Sequence, residues 1–516
     1  MEALFLDTRI LDKTCREKFL LSEDCMMENA AAGLEDAVMD SLGENKKSRV
    51  LILCGSGNNG ADGYALARKL VSSKISVSVA ICGEPKSELC KIQKSRAKNT
   101  PVEFLTLEKS LDYIEENPLA FDLVVDCIFG SGFHGYLPDD ISKLIEKINS
   151  LETFRVSCDI PSGLDSLGNF SGTVFHADLT VTMGALKLAL VSDCAKDCTG
   201  EIQLVNLGVQ RELFESCVPD DENGNKFFLL TESDMRFPFR NKQNVNKGSF
   251  GHAVFIGGEK IGAGVIASSA ALRLGAGLVS LVDFKNQNRC GDKITLGENG
   301  EWKEDGIIPY EIMCAKEMPE NTKSVALGMG LGRDAEISSY EKWMENHPEI
   351  PVVFDADIFY NNSFERILKK RSDEKSSTVL TPHPKEFSVL LENCGLGKYS
   401  VAEILRDKIS LVEKFCASFP NVILLLKGAT VLIAQKKSGE KTQMFFNPHG
   451  TNALSKAGSG DVLDGLIASL LAQGYETLDA VKSASLIHAL ASKKITPDFS
   501  MTPFSLMRAI QAISFL

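Results

Sequence analysis

The alternation of short β-branched runs with longer helical patterns is the feature that most constrains the fold of this chain. Several of the runs are apolar at consecutive positions, as in strands that are covered on both faces of a sheet. In the first half, strands are predicted at residues 49–54, 76–82, 102–105, 123–129, 154–160, 179–183 and 202–207. Strands that alternate with helices favour a doubly wound, mainly parallel sheet, so an α/β fold is predicted.

A second α/β series follows an acidic, polar and turn-forming segment, PDDENGNK, at residues 219–226. Such a segment is typical of a domain boundary. Predicted strands then cover residues 253–256, 279–284, 324–327, 352–355, 379–381, 422–427 and 431–434, and predicted helices cover 461–473, 477–493 and 502–515. The chain is therefore predicted to consist of two α/β domains, residues 1–220 and residues 226–516.

The charge balance limits the partners of the chain. Its 516 residues include 56 Lys and Arg against 69 Asp and Glu, which gives a net charge of −13. This balance argues against nucleic-acid and anionic-membrane binding, because both require concentrated positive charge. No stretch approaches the roughly 18 apolar residues of a membrane span, and the N-terminus lacks the apolar core of a signal peptide. The 14 cysteines form no C-x-x-C pair, which favours free thiols in the cytosol.

The turn after the first predicted strand is rich in glycine and asparagine. Residues 53–63 read LCGSGNNGADG and lead into a predicted helix at 64–70. Glycines allow the backbone to approach a phosphate, and the N–H groups at the start of a helix point at its charge. A merely tight connection is the alternative, but Asn58, Asn59 and Asp62 supply polar groups that a plain turn does not need.

Two further strand ends are predicted to lie at the same edge of the sheet, where ligands bind in α/β folds. Residues 126–135 read DCIFGSGFHG and residues 157–165 read SCDIPSGLD. The oxygens of Asn59, Asp126 and Ser162 would together suit a hard monovalent or divalent cation.

A carboxylate on the last of these strand ends, Asp159, is the one best placed for proton transfer. The alternative is that Asp159 caps the following turn. The Pro-Ser-Gly at residues 161–163 favours the first interpretation, since it suits an open bend that faces a ligand.

These motifs resemble the NAD(P)H-hydrate epimerase family over roughly residues 8–210. The shared motifs are Met-Glu-Asn at 27–29, Asn-Asn-Gly-x-Asp at 58–62, Phe-Gly-x-Gly at 129–132, Asp-Ile-Pro-Ser-Gly at 159–163, Ala-Asp-x-Thr-x-Thr at 177–182, and Lys187. The resemblance implies that a hydrated dinucleotide contacts Asn58, Asn59, Gly60, Ala61, Asp62, Gly130, Ser131, Gly132, Phe133, His134, Gly135, Tyr136 and Asp159. It also implies that Asp159 is catalytic and that potassium binds at Asn59, Asp126 and Ser162.

One residue departs from the family pattern in this half: Ala61 stands where the family usually has glycine. A methyl group there could crowd the phosphate turn. This departure supports an alternative in which residues 1–210 form a non-catalytic dinucleotide- or partner-binding module. His134 is expected to be a loop residue near substrate and not a base, and Lys187 is interpreted either as a phosphate partner or as a solvated surface lysine.

The most informative motif of the second half is NALSKAGSGDVLDG at residues 452–465, which runs into an apolar helix. The N–H groups of Gly458, Ser459 and Gly460 would form a positive hole for a transferring phosphoryl group. Asp461 would take the proton from the attacking hydroxyl, although it could instead only cap the helix. Asp464 is expected to interact with the helix dipole in the first turn and not to be catalytic.

This arrangement resembles the ribokinase-like superfamily, and other motifs narrow the resemblance to the ADP/ATP-dependent NAD(P)H-hydrate dehydratases over roughly residues 230–515. These motifs are Lys-Gly-Ser-Phe-Gly at 247–251 with Gly-Ala at 262–263, Gly-Met-Gly-Leu-Gly at 328–332, Asp-Ala-Asp at 355–357, Thr-Pro-His-Pro at 381–384 with Glu386, and Leu-Lys-Gly-Ala-Thr-Val at 426–431. The residues implied to hold the adenine nucleotide are Lys427, Gly428, Ala429, Thr430, Val431, Thr451, Asn452, Ala453, Leu454, Ser455, Lys456, Ala457, Gly458, Ser459 and Gly460. The residues implied to face the hydrate are Ala263, Gly332, His383 and Asp461.

The second half also departs from its family pattern at two positions. Met329 replaces a usual proline, and Lys385 occupies a position that is usually glycine; neither change removes a reacting group. Asp355 and Asp357 are interpreted as a strand end, with an indirect Mg²⁺ site as the alternative.

The two resemblances together imply an N-terminal Rossmann-like epimerase and a C-terminal ribokinase-like dehydratase that repair hydrated NADH and NADPH. The expected cofactors are K⁺ in the first domain and Mg²⁺ with ADP or ATP in the second. The partners are expected to be these small molecules, without nucleic acid or membrane, in a cytoplasmic homo-oligomer. A ribokinase-like small-molecule kinase that carries a non-catalytic dinucleotide-binding module is the rival hypothesis, and it predicts a stable phosphorylated product.

Overall fold

The structure is a computed structural model that describes residues 1–43, 48–216, 226–282 and 308–513. The chain divides into two compact units: Glu2–Phe227 forms one, and Phe228–Leu516 together with Met1 forms the other. The division falls inside the strand Lys226–Leu229. Most of the boundary segment predicted at residues 219–226 lies outside the described residues, so that boundary stays a prediction.

The first unit alternates strands with helices along the chain. Its elements are β1 (Glu2–Leu4), α1 (Arg9–Phe19), α2 (Glu23–Leu42), β2 (Arg49–Cys54), α3 (Asn58–Ser72), β3 (Ser76–Ile81), α4 (Glu88–Lys98), β4 (Glu103–Thr106), α5 (Leu107–Glu116), β5 (Leu123–Cys127), α6 (Asp139–Asn149), β6 (Phe154–Cys158), β7 (Leu179–Met183), short 3₁₀ helices at Leu188–Val191 and Ala195–Asp197, β8 (Glu201–Val205) and α7 (Arg211–Glu215).

The parallel sheet of this unit has the order β4-β3-β2-β5-β6-β7-β8. The winding direction reverses between β2 and β5, and ligands bind at such a switch point in doubly wound folds. Alternate residues of β2 enter different cores: Val50 and Ile52 pack on one side, and Leu51 and Leu53 on the other. This two-sided burial explains why the strand is apolar at consecutive positions.

The second unit is a larger α/β assembly. Its elements are β9 (Lys226–Leu229), in which the division falls, 3₁₀ helices at Glu232–Asp234 and Lys247–Phe250, β10 (His252–Ile256), α8 (Ile261–Arg273), β11 (Leu278–Val282), β12 (Met313–Ala315), β13 (Ser324–Leu327), α9 (Ser338–Asn346), β14 (Val352–Phe354), a 3₁₀ helix at Ala356–Tyr360, α10 (Phe364–Asp373), β15 (Thr378–Leu380), α11 (Pro384–Asn393), α12 (Val401–Arg406), α13 (Lys408–Ser418), β16 (Val422–Leu426), β17 (Val431–Gln435), β18 (Gln443–Asn447), a 3₁₀ helix at Asn452–Leu454, α14 (Ser459–Ala472), α15 (Thr477–Ser492), a 3₁₀ helix at Asp498–Ser500 and α16 (Pro503–Ile513).

The strands of the second unit follow the order β9-β18-β17-β16-β15-β14-β13-β10-β11-β12. Neighbours from β16 to β12 in this order pair in parallel, whereas β17 runs antiparallel to both β16 and β18. The winding direction reverses between β10 and β13, so the turns that follow these two strands share an edge. The apolar helix α14 packs across this sheet, with Leu466 and Ile467 in the core.

The predicted α/β fold with parallel sheets is confirmed, and the strand predictions differ from the structure mainly at their ends. β5 and β6 end two residues earlier than predicted, at Cys127 and Cys158, because the chain turns there to form the cavity described below. The short strands β1, β9, β12 and β18 were not predicted. Parts of the predictions at 279–284 and 502–515 lie outside the described residues. No described helix is long and apolar enough to span a membrane.

Candidate active sites

A cavity of about 770 Å³ opens at the switch point of the first unit, beyond the carboxyl ends of β2 and β5. The implied substrate residues that line it are Asn58, Asn59, Asp62, Gly130, Ser131, Gly132, Phe133, His134, Tyr136 and Asp159. The sequence did not single out other lining residues, among them Thr8, Arg9, Asp12, Glu23, Met26 and Met183. The N-terminal helices therefore contribute a wall in which only Met27, from the Met-Glu-Asn motif, had been indicated by the sequence.

The cavity reaches the N-terminus of α3. Gly57 precedes this helix, and no side chain caps it. The Ala61 N–H donates to the Gly57 carbonyl at 3.1 Å. Among the described residues, the preceding N–H groups of Asn58, Asn59 and Gly60 have no partner. Free amide donors at a helix N-terminus attract anions, so this end of α3 can hold a phosphate.

Gly60 and Ala61 do not line the cavity. A side chain on Gly60 would stand 2.0 Å from the Gly55 carbonyl oxygen, so its glycine is required for packing. The methyl group of Ala61 is completely buried in the core of the unit. Neither the methyl group nor the N–H of Ala61 therefore faces a ligand, since the N–H donates to the Gly57 carbonyl within the helix. The expected crowding of the phosphate turn by Ala61 does not occur.

Asp159 sits in a strained turn immediately after β6. Its φ is +72°, which is unusual for a residue with a side chain. The Ile160 N–H donates to the Cys158 carbonyl at 3.0 Å and closes a three-residue turn around it. Turns of this kind are rare and strained, and strain of this kind concentrates at functional sites. The turn lines the cavity, which favours proton transfer by Asp159 over simple capping.

Lys187 forms an ion pair with Asp159, with 2.6 Å between Nζ and Oδ1. The lysine is 2% exposed, and Nζ also contacts the Thr182 hydroxyl at 3.0 Å and the Met183 carbonyl at 2.9 Å. The interpretation of Lys187 as a solvated surface lysine is therefore wrong, because the side chain is buried and bonded to protein groups. Its role as a phosphate partner stays a prediction. The buried ammonium group of Lys187 is therefore the ion-pair partner of Asp159 in this cavity.

The three residues implied to bind potassium meet around the backbone of Phe129. The Asn59 amide donates to the Phe129 carbonyl at 2.9 Å, and the Phe129 N–H donates to the Ser162 hydroxyl at 2.9 Å. Ser162 donates to Asp126 Oδ1 at 2.7 Å, and its own N–H donates to Oδ2 at 2.7 Å. Burial raises the pKa of Asp126 to about 6. The Asn59 Oδ1 atom is buried without a hydrogen-bond partner among the described residues.

The loop at residues 130–136 forms one wall of the cavity. His134 and Tyr136 are exposed, whereas Phe133 is buried and packs on Phe129 with 5.0 Å between ring centroids. A side chain on Gly130 would stand 3.2 Å from Asp159 Oδ2, so glycine is needed for the close approach of loop and carboxylate. Gly135 does not line the cavity.

In the second unit, α14 begins directly after Gly458, whose φ is +86°. No side chain caps this helix, and the Ser459 N–H donates to the Lys456 carbonyl at 3.2 Å. Among the described residues, the N–H groups of Gly458, Gly460 and Asp461 have no partner. Three free amides therefore lie at the predicted anion hole, with the Asp461 N–H in place of the Ser459 N–H as the third. Their role in holding a phosphoryl group stays a prediction.

The Asp461 side chain lies in the first turn of α14 and is half-buried. Burial raises its pKa to about 6; the nearby Asp355 adds to this effect and Lys427 opposes it. The side chain makes no cap hydrogen bond to the helix. A carboxylate whose pKa lies close to neutral is suited to accept a proton at physiological pH.

A buried ion pair lies beside the anion hole. Lys427 Nζ is 2.8 Å from Asp355 Oδ1, and a side chain on Gly460 would stand 3.3 Å from the same nitrogen. Asp464 is completely buried, accepts a hydrogen bond from Thr381 at 2.8 Å, and has a pKa raised well above normal by burial and by Asp355. Asp464 is the sixth residue of α14 and therefore lies beyond the first turn, so the expected first-turn dipole interaction is wrong.

Asp357, the second aspartate of the Asp-Ala-Asp motif, has a structural role. Asp357 accepts the Gly332 N–H at 2.9 Å and so holds the glycine-rich turn that follows β13. A side chain on Gly330 would meet the Ala263 Cβ at 3.1 Å, so this turn packs against the start of α8. Met329, which replaces the usual proline, is completely buried in the core. The structure therefore brings Ala263 and Gly332 to the same edge of the sheet, where the turns after β10 and β13 meet.

His383 is the N-terminal cap of α11. Its Nδ1 accepts the N–H groups of Lys385 and Glu386 at 3.1 and 3.3 Å, and its own N–H donates to Glu386 Oε2 at 2.9 Å. Its Nε2 lies 3.2 Å from Glu386 Oε1. Burial lowers the pKa of His383, and burial raises that of Glu386 to about 7. Both ring nitrogens are engaged, while Lys385 is exposed and accommodated without strain.

The residues implied to hold the nucleotide form two segments with mixed exposure. The exposed positions, which a ligand can reach, are Gly428, Ala429, Asn452, Ser455, Lys456 and Ala457. Thr430 and Ala453 are buried, and Leu454 packs against the core. Thr451 is tied to Ser492 through its N–H at 3.1 Å. Val431 begins β17.

Two sequence families match the chain. The family described as YjeF-related protein N-terminus matches residues 23–189, and the family described as NAD(P)H-hydrate dehydratase matches residues 253–512. A bifunctional NAD(P)H-hydrate repair enzyme Nnr from Helicobacter pylori is 39% identical over 515 residues, covering 99% of this chain and 100% of that relative. A protein of the same name from Dictyoglomus turgidum is 30% identical over 500 residues, covering 93% and 91%.

A solved structure also resembles the second unit. It is the ADP/ATP-dependent NAD(P)H-hydrate dehydratase from Bacillus subtilis, co-crystallised with ATP/Mg²⁺. The match has a TM-score of 0.41 at 21% identity and covers 54% of this chain and 93% of that one.

Each α/β unit has an uncapped helix N-terminus beside an acidic side chain, an arrangement typical of enzymes that act on phosphate-bearing substrates. The chain belongs to the bifunctional NAD(P)H-hydrate repair enzymes. It combines epimerase and dehydratase activities in one polypeptide. The kinase with a non-catalytic first domain is therefore set aside.

Proposed function

We propose that the cavity of the first unit interconverts the C6 epimers of hydrated NADH and NADPH, with Asp159 as the residue that exchanges a proton with substrate. The observation that carries this proposal is the ion pair of Asp159 with the buried Lys187, at 2.6 Å, inside a cavity that also contains the free amides of α3. The amides would bind the pyrophosphate, and the ion pair would keep Asp159 ready as a base.

We further propose that potassium binds beside this cavity. The unpartnered Oδ1 of Asn59 provides a neutral oxygen, and Asp126 and Ser162 provide a carboxylate and a hydroxyl joined at 2.7 Å. Oxygen donors of mixed charge fit a hard cation. When bound, the cation would supply positive charge that favours the ionised form of Asp126 and fixes the turn after β5.

In the second unit, we propose that the segments at 427–431 and 451–460 hold the adenine nucleotide and that Asp461 is the catalytic base. Hydroxide is a poor leaving group, so phosphorylation of the C6 hydroxyl must come first. Asp461 would take the hydroxyl proton, while the amides of Gly458, Gly460 and Asp461 stabilise the charge of the transferring phosphoryl group. The lone pair of the ring nitrogen then expels phosphate and regenerates the dihydronicotinamide.

Mg²⁺ would reach this site with the nucleotide and neutralise its phosphates. The described residues contain no group of three or more His, Cys, Asp or Glu side chains arranged to hold a metal. Mg²⁺ is usually bound through substrate phosphates and few carboxylates. If the site accepts only the S epimer, epimerisation in the first unit makes the R epimer usable as well.

Absorbance recovery at the reduced-nicotinamide band tests this function. Purified NADH and NADPH hydrates are incubated with the full-length protein and ADP, ATP or neither. We expect recovery of the reduced dinucleotide, with release of free phosphate, only when one of the two nucleotides is present. A stable phosphorylated hydrate without absorbance recovery would contradict the dehydratase mechanism.

Two expectations from the sequence, the homo-oligomer and the cytoplasmic location, remain proposals. A homo-oligomer in solution is tested by light scattering combined with size-exclusion chromatography, and a mass of one 56.2 kDa chain would contradict it. A cytoplasmic location is tested by cell fractionation.

A further inference from the structure

Asp12 is an acidic residue of the epimerase cavity that none of the motifs identifies. It lies on α1 and lines the same cavity as Asp159 and Lys187. Its side chain makes no hydrogen bond or ion pair with any residue that the structure describes. A cavity-facing carboxyl without a partner is available to a ligand.

The balance of charge in the cavity leaves Asp12 without a counterion. Lys187 carries the buried ammonium group of this cavity, and it forms an ion pair with Asp159, with 2.6 Å between Nζ and Oδ1. Asp62, a third acid of the same cavity, also lacks a partner among the described residues. Burial raises the pKa of Asp12 to about 6, and it raises that of Asp62 much further. The cavity therefore combines Asp159, which is paired with Lys187, with two further acids whose pKa is raised by burial.

Epimerisation requires such a pair. In the hydrate, C6 carries a hydroxyl group and is bonded to the ring nitrogen N1, so inversion at C6 can proceed by opening this hemiaminal. Opening requires one group to accept the hydroxyl proton and another to donate a proton to N1. A single carboxyl group cannot do both at the same moment.

We propose that Asp12 is the second proton-transfer residue of the epimerase and acts as the acid while Asp159 acts as the base. This proposal rests on the proposed function of the cavity. The C6–N1 bond breaks with its electron pair moving to N1, which takes the proton of Asp12. The hydroxyl proton passes to Asp159, and C6 becomes an aldehyde. Rotation about C5–C6 presents the other face, and the reverse transfers close the ring.

Asp12 suits this role better than Asp62. A residue that donates and then recovers a proton in each cycle works best with a pKa near the operating pH. Asp12 meets this condition, whereas burial raises the pKa of Asp62 further from its ordinary value. The charged groups around Asp12 are Asp159 and Lys187 from the strand ends, Asp62 from α3, Glu23 from α2, and Arg9 and Arg16 from its own helix.

The test is the pH dependence of epimerisation in full-length Asp12→Asn, followed by chromatographic separation of the two epimers. We expect kcat to fall at least about 100-fold, the lower range for loss of an acid, with KM changed less than about threefold. We also expect the decline of kcat/KM above about pH 6 in the parent protein to disappear. Dehydration of the S epimer by the same preparation should be unchanged.

Glu17→Gln is the matched control, since Glu17 lies on the same helix and its side chain is 68% exposed. It should retain full epimerisation. Asp12→Glu keeps the titrating group and should keep the decline with pH even if kcat is lower, so it covers the case in which Asp12→Asn folds poorly.

Other outcomes would overturn the proposal. Normal kcat in Asp12→Asn, or loss of the pH decline in Asp62→Asn alone, would show that Asp12 is not the acid. Asp159→Asn separates this failure from failure of the proposed function. If Asp159→Asn abolishes epimerisation while Asp12→Asn does not, only the inference about Asp12 is wrong.

Discussion

Lys427 Nζ lies 2.8 Å from Oδ1 and 3.1 Å from Oδ2 of Asp355. Burial alone would lower the pKa of Lys427, but the neighbouring carboxylates outweigh burial and raise it. The ammonium group is also next to Gly460, at the beginning of α14. The ammonium group of this ion pair thus lies beside the amides that are proposed to stabilise phosphoryl transfer.

Replacing Lys427 with an uncharged residue should lower the stability of the second unit. Lys427→Met leaves Asp355 buried without a counterion, so we expect a loss of about 3–5 kcal/mol in the free energy of unfolding. Urea unfolding followed by circular dichroism measures this, with Lys398→Met as the control because Lys398 is 80% exposed. The control should lose less than about 1 kcal/mol. An equally small loss in Lys427→Met would contradict the importance of the pair.

Ala61→Gly tests whether the departure from the epimerase pattern affects activity. The methyl group is buried in the core and does not reach the cavity. Glycine should therefore lower stability by about 1–2 kcal/mol, through lost burial and greater helix flexibility. Epimerisation should stay within about twofold of the parent rate when both variants are assayed well below their melting temperatures. A clear gain in turnover would instead indicate that the methyl group crowds the phosphate turn.

The proposed potassium site should respond to pH through Asp126. Its pKa is raised to about 6, so below that value a proton must be displaced before the cation binds. We expect KCl to raise the melting temperature of the first unit more at pH 7.5 than at pH 5, relative to choline chloride. Asp126→Ala should lose this effect and the potassium dependence of epimerisation, but not dehydration of the S epimer. Equal stabilisation at both pH values would contradict the assignment.

The two units should fold independently. We expect residues 1–220 and residues 226–516 to give cooperative thermal unfolding when each is expressed alone, because the polar segment between them offers little apolar surface. Circular dichroism with differential scanning calorimetry measures this. Loss of cooperative unfolding in both fragments would contradict the boundary.

The fold and the position of the sites could be predicted because they depend on local patterns. The consecutive apolar residues of β2 and the glycine-rich turn after it specify a buried parallel strand and a phosphate-binding helix N-terminus. Asp159 could be singled out for a similar reason, since it directly follows a predicted strand and precedes an open bend.

Contacts between residues far apart in the sequence could not be predicted. In the sequence, Lys187 cannot be told from an ordinary surface lysine. Only the fold of the segment after β7 places it next to Asp159. Asp12 lies in an amphipathic helix whose pattern explains its burial but does not show which cavity it faces. Asp464 follows a motif for a helix start, yet its partner Thr381 is 83 residues away.

The central claim is that one chain repairs both epimers with Asp159 and Asp461 acting in separate units. Asp461→Asn should lower dehydration by about two to four orders of magnitude, because it removes a general base. Nucleotide affinity should change little, since backbone amides hold the phosphate. Stability should change by less than about 1 kcal/mol, because the half-buried Asp461 side chain makes no cap hydrogen bond that asparagine would lose.

The most direct test is the time course of absorbance recovery from a mixture of both hydrate epimers, with nucleotide in excess. The parent protein should convert the whole mixture. Asp159→Asn should convert the S epimer at the parent rate and the R epimer only at the uncatalysed rate, whereas Asp461→Asn should convert neither. Full recovery by Asp461→Asn at the parent rate, or full conversion of the R epimer by Asp159→Asn, would contradict the account.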